Sequence, residues 1–195
     1  MSEAPVDWLF PRQQQILDAI TDRLDGFDVP VCRAFLAPGA QVPWDTCCEC
    51  GSGSEGQAWV AVERMYPANG LDQDASAQRC HPNGYAADLV AGILRCAHTV
   101  DDQGVAPEAA VVTGDAAKVA RDRKILRDAL LCGFVGEDGE PGEFRLGFWQ
   151  PLGPGGGCVG GSWTATIAIP ACRCAEIPEA SGFGQGPFGT TEFGG

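Results

Sequence analysis

Ten cysteines, at positions 32, 47, 48, 50, 80, 96, 132, 158, 172 and 174, carry most of the reactive potential of this 195-residue chain. Cys47 and Cys50 form a Cys-x-x-Cys, a spacing that lets two thiolates meet one tetrahedral ion, and Cys172-x-Cys174 or Cys80-His81 would have to complete such a site. The second half lacks the usual two-residue spacer. Zinc, disulfides formed after release from the cell, and buried free thiols therefore all stay open. A thioredoxin-like role for Cys47 and Cys50 fits poorly, because that motif opens a helix and here Gly51-Ser52-Gly53-Ser54 follows.

Other chemistry is sparse. His81 and His98 are the only histidines, little raw material for a His-dependent acid–base site. Ser162, in Gly160-Gly161-Ser162-Trp163, lacks the Gly-x-Ser-x-Gly elbow that exposes an activated hydroxyl and reads as a strand-edge serine. Asp72-x-Asp74 has neither the glycine nor the distal glutamate of a calcium loop, and Asp101-Asp102 and the acids from Glu137 to Glu143 read as solvated turns. The run Pro151-Leu152-Gly153-Pro154-Gly155-Gly156-Gly157-Cys158-Val159-Gly160-Gly161 cannot be helix. It also lacks the Gly-Lys-Ser/Thr ending and the following helix that would aim amides at a phosphate. No catalytic, cofactor-binding or metal-ligating residue is assigned, and the expectation is a protein that is not an enzyme and carries no cofactor.

The elements that must position these residues follow from periodicity. Over 11–25, Ile16, Leu17, Ile20 and Leu24 share one helical face between Pro11 and Gly26. A short strand over 31–36 leads into a loop at 44–54. Gln57 to Tyr66 alternates Ala58, Val60 and Val62 against Trp59, Ala61 and Met65, and is expected to stop at Pro67. Tyr85 to Cys96 places Ala87, Leu89, Ala91 and Ile93 on one face.

A second helix is expected over 107–131, weakened at Gly114 and re-capped by Thr113 or Asp115. Ala116, Val119, Leu126 and Leu130 form its buried stripe, and Lys118, Arg121, Asp122, Arg123, Lys124, Arg127 and Asp128 its solvated face. Strands over 144–149 and 163–169 complete an α/β (α+β) fold, a mainly antiparallel sheet of about four to five strands flanked by two helices. It fills a single domain over 1–176. A Gly/Phe-rich arm over 177–195 follows that cannot build a core of its own; a frayed tail and docking of Phe183, Phe188 and Phe193 in a groove on a neighbour both stay open.

Composition excludes some partners. With 26 acidic against 13 basic residues the formal net charge is −13, which argues against a nucleic-acid clamp, since a polyanion binder needs Lys and Arg to displace counterions. Apolar residues at 45% supply enough surface for an ordinary core. No run of about 18 uncharged apolar residues is present, and Glu3 stands where a secretory signal carries a basic residue, so the expectation is no membrane partner and no export.

Several local blocks resemble the head-to-tail connector and tail terminator proteins of actinobacterial, mycobacteriophage-like siphophages. They are Trp44-Asp45-x-Cys47-Cys48, Gly56-Gln57-x-Trp59-Val60, Tyr66-Pro67, Leu94-Arg95-Cys96-Ala97, and Trp149-Gln150-Pro151-Leu152-Gly153-Pro154 running through Gly156-Gly157-Cys158-Val159-Gly160-Gly161-Ser162-Trp163-Thr164. Coverage is from about Pro11 to Cys174, and the arm after Ile177 departs from the compact terminator pattern. The resemblance implies a structural virion protein at the head–tail junction, assembled in the host bacterial cytoplasm. It would form a homo-hexameric ring that caps the tail tube, contacts the major tail tube protein on one face and the head-to-tail stopper or connector on the other, and lets DNA pass its bore without specific binding. A stopper or adaptor of the same neck is the nearest alternative, and a cytosolic zinc-binding module the alternative from another class.

Overall fold

The stripe Ile16, Leu17, Ile20 and Leu24 closes over one face of a mixed sheet, and the way its helix ends sets up the rest of the molecule. In the computed structural model, which describes residues 9–39, 47–48, 55–69, 71–73, 84–100, 103–133 and 144–169, helix α1 spans Leu9–Gly26. Its terminus is a Schellman motif: Val29 N–H donates to the Leu24 carbonyl at 3.0 Å and Asp28 N–H to the Asp25 carbonyl at 3.0 Å. The left-handed residue is Asp28 (φ 56°), not Gly26, which remains helical. Aspartate tolerates that region better than most side chains. The turn packs Val29 onto the core beside Leu24 and aims the chain at the sheet.

Strands β1 (Arg33–Ala37), β2 (Gln57–Asn69), the two-residue β3 (Asp72–Gln73), β4 (Tyr85–Cys96), β5 (Phe144–Gly155) and β6 (Cys158–Ile169), with helix α2 (Ala109–Gly133), make up the rest. The sheet order is β1-β2-β4-β6-β5, with β3 paired to β2. β1 and β2 are parallel and the other neighbours antiparallel, so the α+β class and the mainly antiparallel sheet stand as expected. Both helices cover the same face. Ile125, Leu126, Ala129 and Leu130 of α2 join the α1 stripe over Ala58, Val60, Ala87, Leu89, Ala91, Ile93, Ala165 and Ile167. On the opposite face a smaller cluster forms around Trp59, Leu94, Cys47 and Cys158.

Four departures from the sequence reading have physical causes. β2 does not stop at Pro67 but runs to Asn69. Ala68 N–H donates to Gly84 on the β4 side, so the position of the missing Pro67 N–H points to the other edge, where β1 ends opposite Ala61. The Gly-rich run is strand on both sides of a turn at Gly156-Gly157, so β5 and β6 extend to Gly155 and back to Cys158. One reason such glycines suit a sheet is Gly161, where a Cβ would lie 2.2 Å from the Trp149 indole: the ring occupies the space a side chain would need.

Helix α2 passes through Gly114 unbroken. Asp115 does not re-cap it; the carboxylate instead accepts the His98 backbone N–H at 2.9 Å. The buried stripe of α2 is also different. Ala116 is exposed and Val119 only partly covered, whereas Asp115 and Asp122 are buried. Both aspartates sit at heptad-compatible spacing with Leu126 and Ala129, positions that a purely apolar reading passes over.

Candidate functional site

Arg95 follows Ala87, Leu89, Ala91 and Ile93 in the alternation of β4, so its side chain enters the helix-covered face, and it is 1% exposed. A guanidinium there must place five N–H donors. Nε donates to Asp122 Oδ2 at 2.8 Å and Nη2 to Asp122 Oδ1 at 3.3 Å, a two-pronged pair with the buried carboxylate of α2. The remaining donors reach backbone carbonyls: Val29 at 2.9 Å, Pro30 at 3.1 Å and Glu55 at 2.5 Å. One side chain thus ties β4 to α2, to the turn that ends α1, and to the entry of β2. Asp122, expected on the solvated face, is the counterion that makes burial of this cation tolerable.

The segment before β2 is fixed from two sides. Gly56 accepts the Cys32 backbone N–H at 3.1 Å and donates to the Cys47 carbonyl at 3.0 Å. Its φ is +97° and a Cβ would stand 2.3 Å from the Leu94 carbonyl oxygen, so only glycine fits. On the sheet face away from the helices, Cys47 is disulfide-bonded to Cys158, and Cys48 to Cys96. Cys96 and Cys158 are register partners of β4 and β6, so two adjacent residues of one loop clip two adjacent strands.

Farther along that face lies a polar depression lined by Glu63, Arg64, Asp88, Arg145, Phe148, Thr164 and Thr166. A β-bulge between Val62 and Arg64 turns Arg64 to this side, opposite Asp88. Asp88 accepts hydrogen bonds from Arg64 Nε at 2.5 Å, Thr166 Oγ1 at 2.8 Å and Tyr66 Oη at 3.2 Å. Burial pushes the Asp88 carboxyl up, but the bonds from Thr166 and Arg64, the Arg64 charge and the Tyr66 hydroxyl outweigh it and hold the pKa below the ordinary aspartate value. Asp115 follows the same pattern: burial raises it, while the His98 backbone N–H, the His98 ring and Lys118 bring it down.

Cys47 is consumed in a disulfide, so it is not a zinc ligand in this state, and its expected partner Cys50 lies outside the described residues, as do Cys80, His81, Cys172 and Cys174. Cys32 is disulfide-bonded and Cys132 is a free, exposed thiol. Ser162 is buried within β6. His98 is largely exposed, its ring 3.0 Å from Asp115. Asp101, Asp102, the acids from Glu137 to Glu143 and the arm with Phe183, Phe188 and Phe193 lie outside the described residues.

Acids and bases nearly balance among the described residues, so most of the excess negative charge resides elsewhere in the chain. No described helix is long and apolar enough to cross a membrane. The sequence reading missed the Arg95–Asp122 pair. Its signal was present: a charge at an inward position of a β-strand and an acid on the apolar stripe of a helix are each costly alone and require each other. No protein-family model and no curated protein matches this sequence.

Proposed function

We propose that the protein is a structural subunit of a phage head–tail junction, a tail terminator whose hexameric ring caps the tail tube and joins it to the head connector. The observation that carries this reading is where the resembling blocks meet. Cys47-Cys48, Gly56-Gln57, Leu94-Arg95-Cys96-Ala97 and Gly157-Cys158, distant in sequence, converge at one end of the sheet. Their cysteines are spent on one another and Arg95 on Asp122 and the Val29, Pro30 and Glu55 carbonyls, and among the described residues no buried side-chain nitrogen or oxygen lacks a partner. Such a knot holds a fixed shape, which suits a subunit selected for its contacts.

The same fold leaves surfaces for those contacts. β5 pairs with β6 alone among the described strands, and it carries Pro151, Pro154 and two register shifts, features that discourage indiscriminate strand pairing. Phe148, on the same strand, is 63% exposed. Head-to-tail packing around a ring covers an edge and an apolar residue of this kind on every copy. The stopper or adaptor reading shares these contacts and differs in what the ring touches.

The test is assembly. Native mass spectrometry and electron microscopy of the purified full chain should show closed rings, and adding the ring to polymerising tail tube protein from the same phage should arrest tube growth. Phe148→Asp should leave the subunit folded, since an exposed substitution costs within about 0.5 kcal/mol, while preventing ring closure. A chain that stays monomeric at every concentration and leaves tube length unchanged overturns the proposal. A ring that binds the head connector but never the tube identifies a stopper instead.

A further inference from the structure

The four sulfurs of Cys47, Cys48, Cys96 and Cys158 stand together at one point of the sheet face away from the helices, and we propose that in the reduced chain they form a tetrathiolate site for a zinc-class ion. The inference is independent of ring assembly.

Three observations carry it. First, Cys96 and Cys158 are directly opposite one another, and the Ala97 N–H to Gly157 carbonyl bond of 2.8 Å marks theirs as a non-hydrogen-bonded pair, the closer of the two antiparallel pairings. Their side chains leave the same face, with Cβ atoms about 4.5–5.5 Å apart. Second, Cys47 and Cys48 reach this pair from above, each already within bonding distance of one member. Third, Cys47 Sγ and Cys48 Sγ are 3.6 Å apart. With zinc–sulfur bonds of about 2.3 Å, the edge of a tetrahedral ZnS₄ unit is about 3.8 Å, so one edge of the tetrahedron is nearly in place. Side-chain rotation supplies the others.

As disulfides these sulfurs have no thiolate to offer, and among the described residues no group of acids, histidines or thiols is arranged to hold a metal. Reduction changes that. Two equivalents of a dithiol deliver four electrons and four protons, cleave both S–S bonds and are themselves oxidised to disulfides. Binding of one divalent ion by the four resulting thiols then releases four protons. Soft sulfur ligands select zinc, cadmium or cobalt over magnesium or calcium. Cys47 and Cys158 are buried against Trp59 and Leu94, whereas Cys48 is exposed, which gives an ion a way in and a dry inner wall. A loop clipped to β4 and β6 by disulfides in an oxidising medium would be clipped at the same point by metal in a reducing one.

The experiment uses the full chain, reduced and desalted without oxygen, and titrated with Co²⁺ and then Zn²⁺. The expected result is about one ion per chain, with the sulfur-to-cobalt charge-transfer and tetrahedral bands of a thiolate site, displacement of cobalt by zinc, and release of zinc when two equivalents of a small-molecule disulfide take four electrons from the thiolates and are themselves reduced to thiols. Cys48→Ser and, separately, Cys96→Ser should abolish stoichiometric binding, Cys96→His should restore it with weaker charge transfer, and Cys50→Ser and Cys132→Ser should leave it unchanged. Far-UV circular dichroism checks each variant; if Cys96→Ser fails to fold, the exposed Cys48→Ser and the Cys96→His rescue decide. The proposal is overturned if the reduced chain takes up no stoichiometric metal, folded or not, or if Cys50→Ser removes the ion while Cys48→Ser and Cys96→His keep the wild-type spectrum.

Discussion

Removing Arg95 should be among the most damaging single changes to this protein, and the structure says by how much and through which partners. Arg95→Met keeps the stem volume but deletes all five hydrogen bonds, leaving the carbonyls of Val29, Pro30 and Glu55 and the buried Asp122 carboxylate without their donor. Breaking a buried ion pair from one side costs about 3–5 kcal/mol, and orphaned acceptors add to it, against a total stability of about 5–15 kcal/mol for a domain. Asp122→Asn removes less, because Arg95 keeps its three carbonyl partners. Arg95→Lys should not rescue, since an ammonium cannot span a carboxylate and three carbonyls from one position.

The assay is urea unfolding of the disulfide-intact chain at pH 7 for wild type, Arg95→Met, Asp122→Leu and the double variant. The expected coupling between the two sites is about 2–3 kcal/mol, with the double variant far better than the sum of the singles because no charge is left buried alone. Singles that each cost under about 1 kcal/mol, or a strictly additive double variant, would refute the reasoning.

Further outcomes are expected from other parts of the fold. Because the folded-state pKa of Asp88 is depressed, its contribution to stability is complete above the ordinary carboxyl range and is lost as pH falls through the folded value; thermal melts from neutral to acid pH should therefore be flatter below about pH 4 in Asp88→Asn, and an unchanged slope would remove Asp88 from the acid response. Gly161→Ala must displace Trp149 or its neighbour Gln150 and should cost about 1–3 kcal/mol, read as a lowered urea midpoint; a neutral effect would mean that the indole has room to move. In the oxidised protein, Cys48→Ser opens a disulfide that spans 48 positions and should destabilise by about 2–4 kcal/mol, whereas Cys132→Ser, at a free exposed thiol, should change nothing measurable.

Much of this architecture was legible in the order of residues. The 3.6-residue stripe of α1 and the apolar face Ala87, Leu89, Ala91 and Ile93 of β4 are local properties, and Tyr85–Cys96 matches the expected strand end for end. The charge excess and the scarcity of histidine are compositional and needed no structure. What the sequence could not settle were matters of pairing. Whether Asp122 faced water or core depended on Arg95, twenty-seven positions away, since a buried carboxylate is stable only when a particular cation is brought to it. Whether Gly160-Gly161 was loop or strand depended on Trp149 lying where a Gly161 side chain would stand and on the Ile93 carbonyl of β4 lying where a Gly160 side chain would.

The cysteines show the same division. Spacing along the chain drew attention to Cys47 and Cys50, the pair with metal-like separation, yet the fold joins Cys47 to Cys158 and Cys48 to Cys96, across 111 and 48 positions. Those partners are neighbours only because β4 and β6 pair in the register that sets Cys96 opposite Cys158. Local pattern determined which segments are helix and which are strand. Register and burial, which follow from how those segments close on one another, decided which charged and sulfur-bearing groups meet.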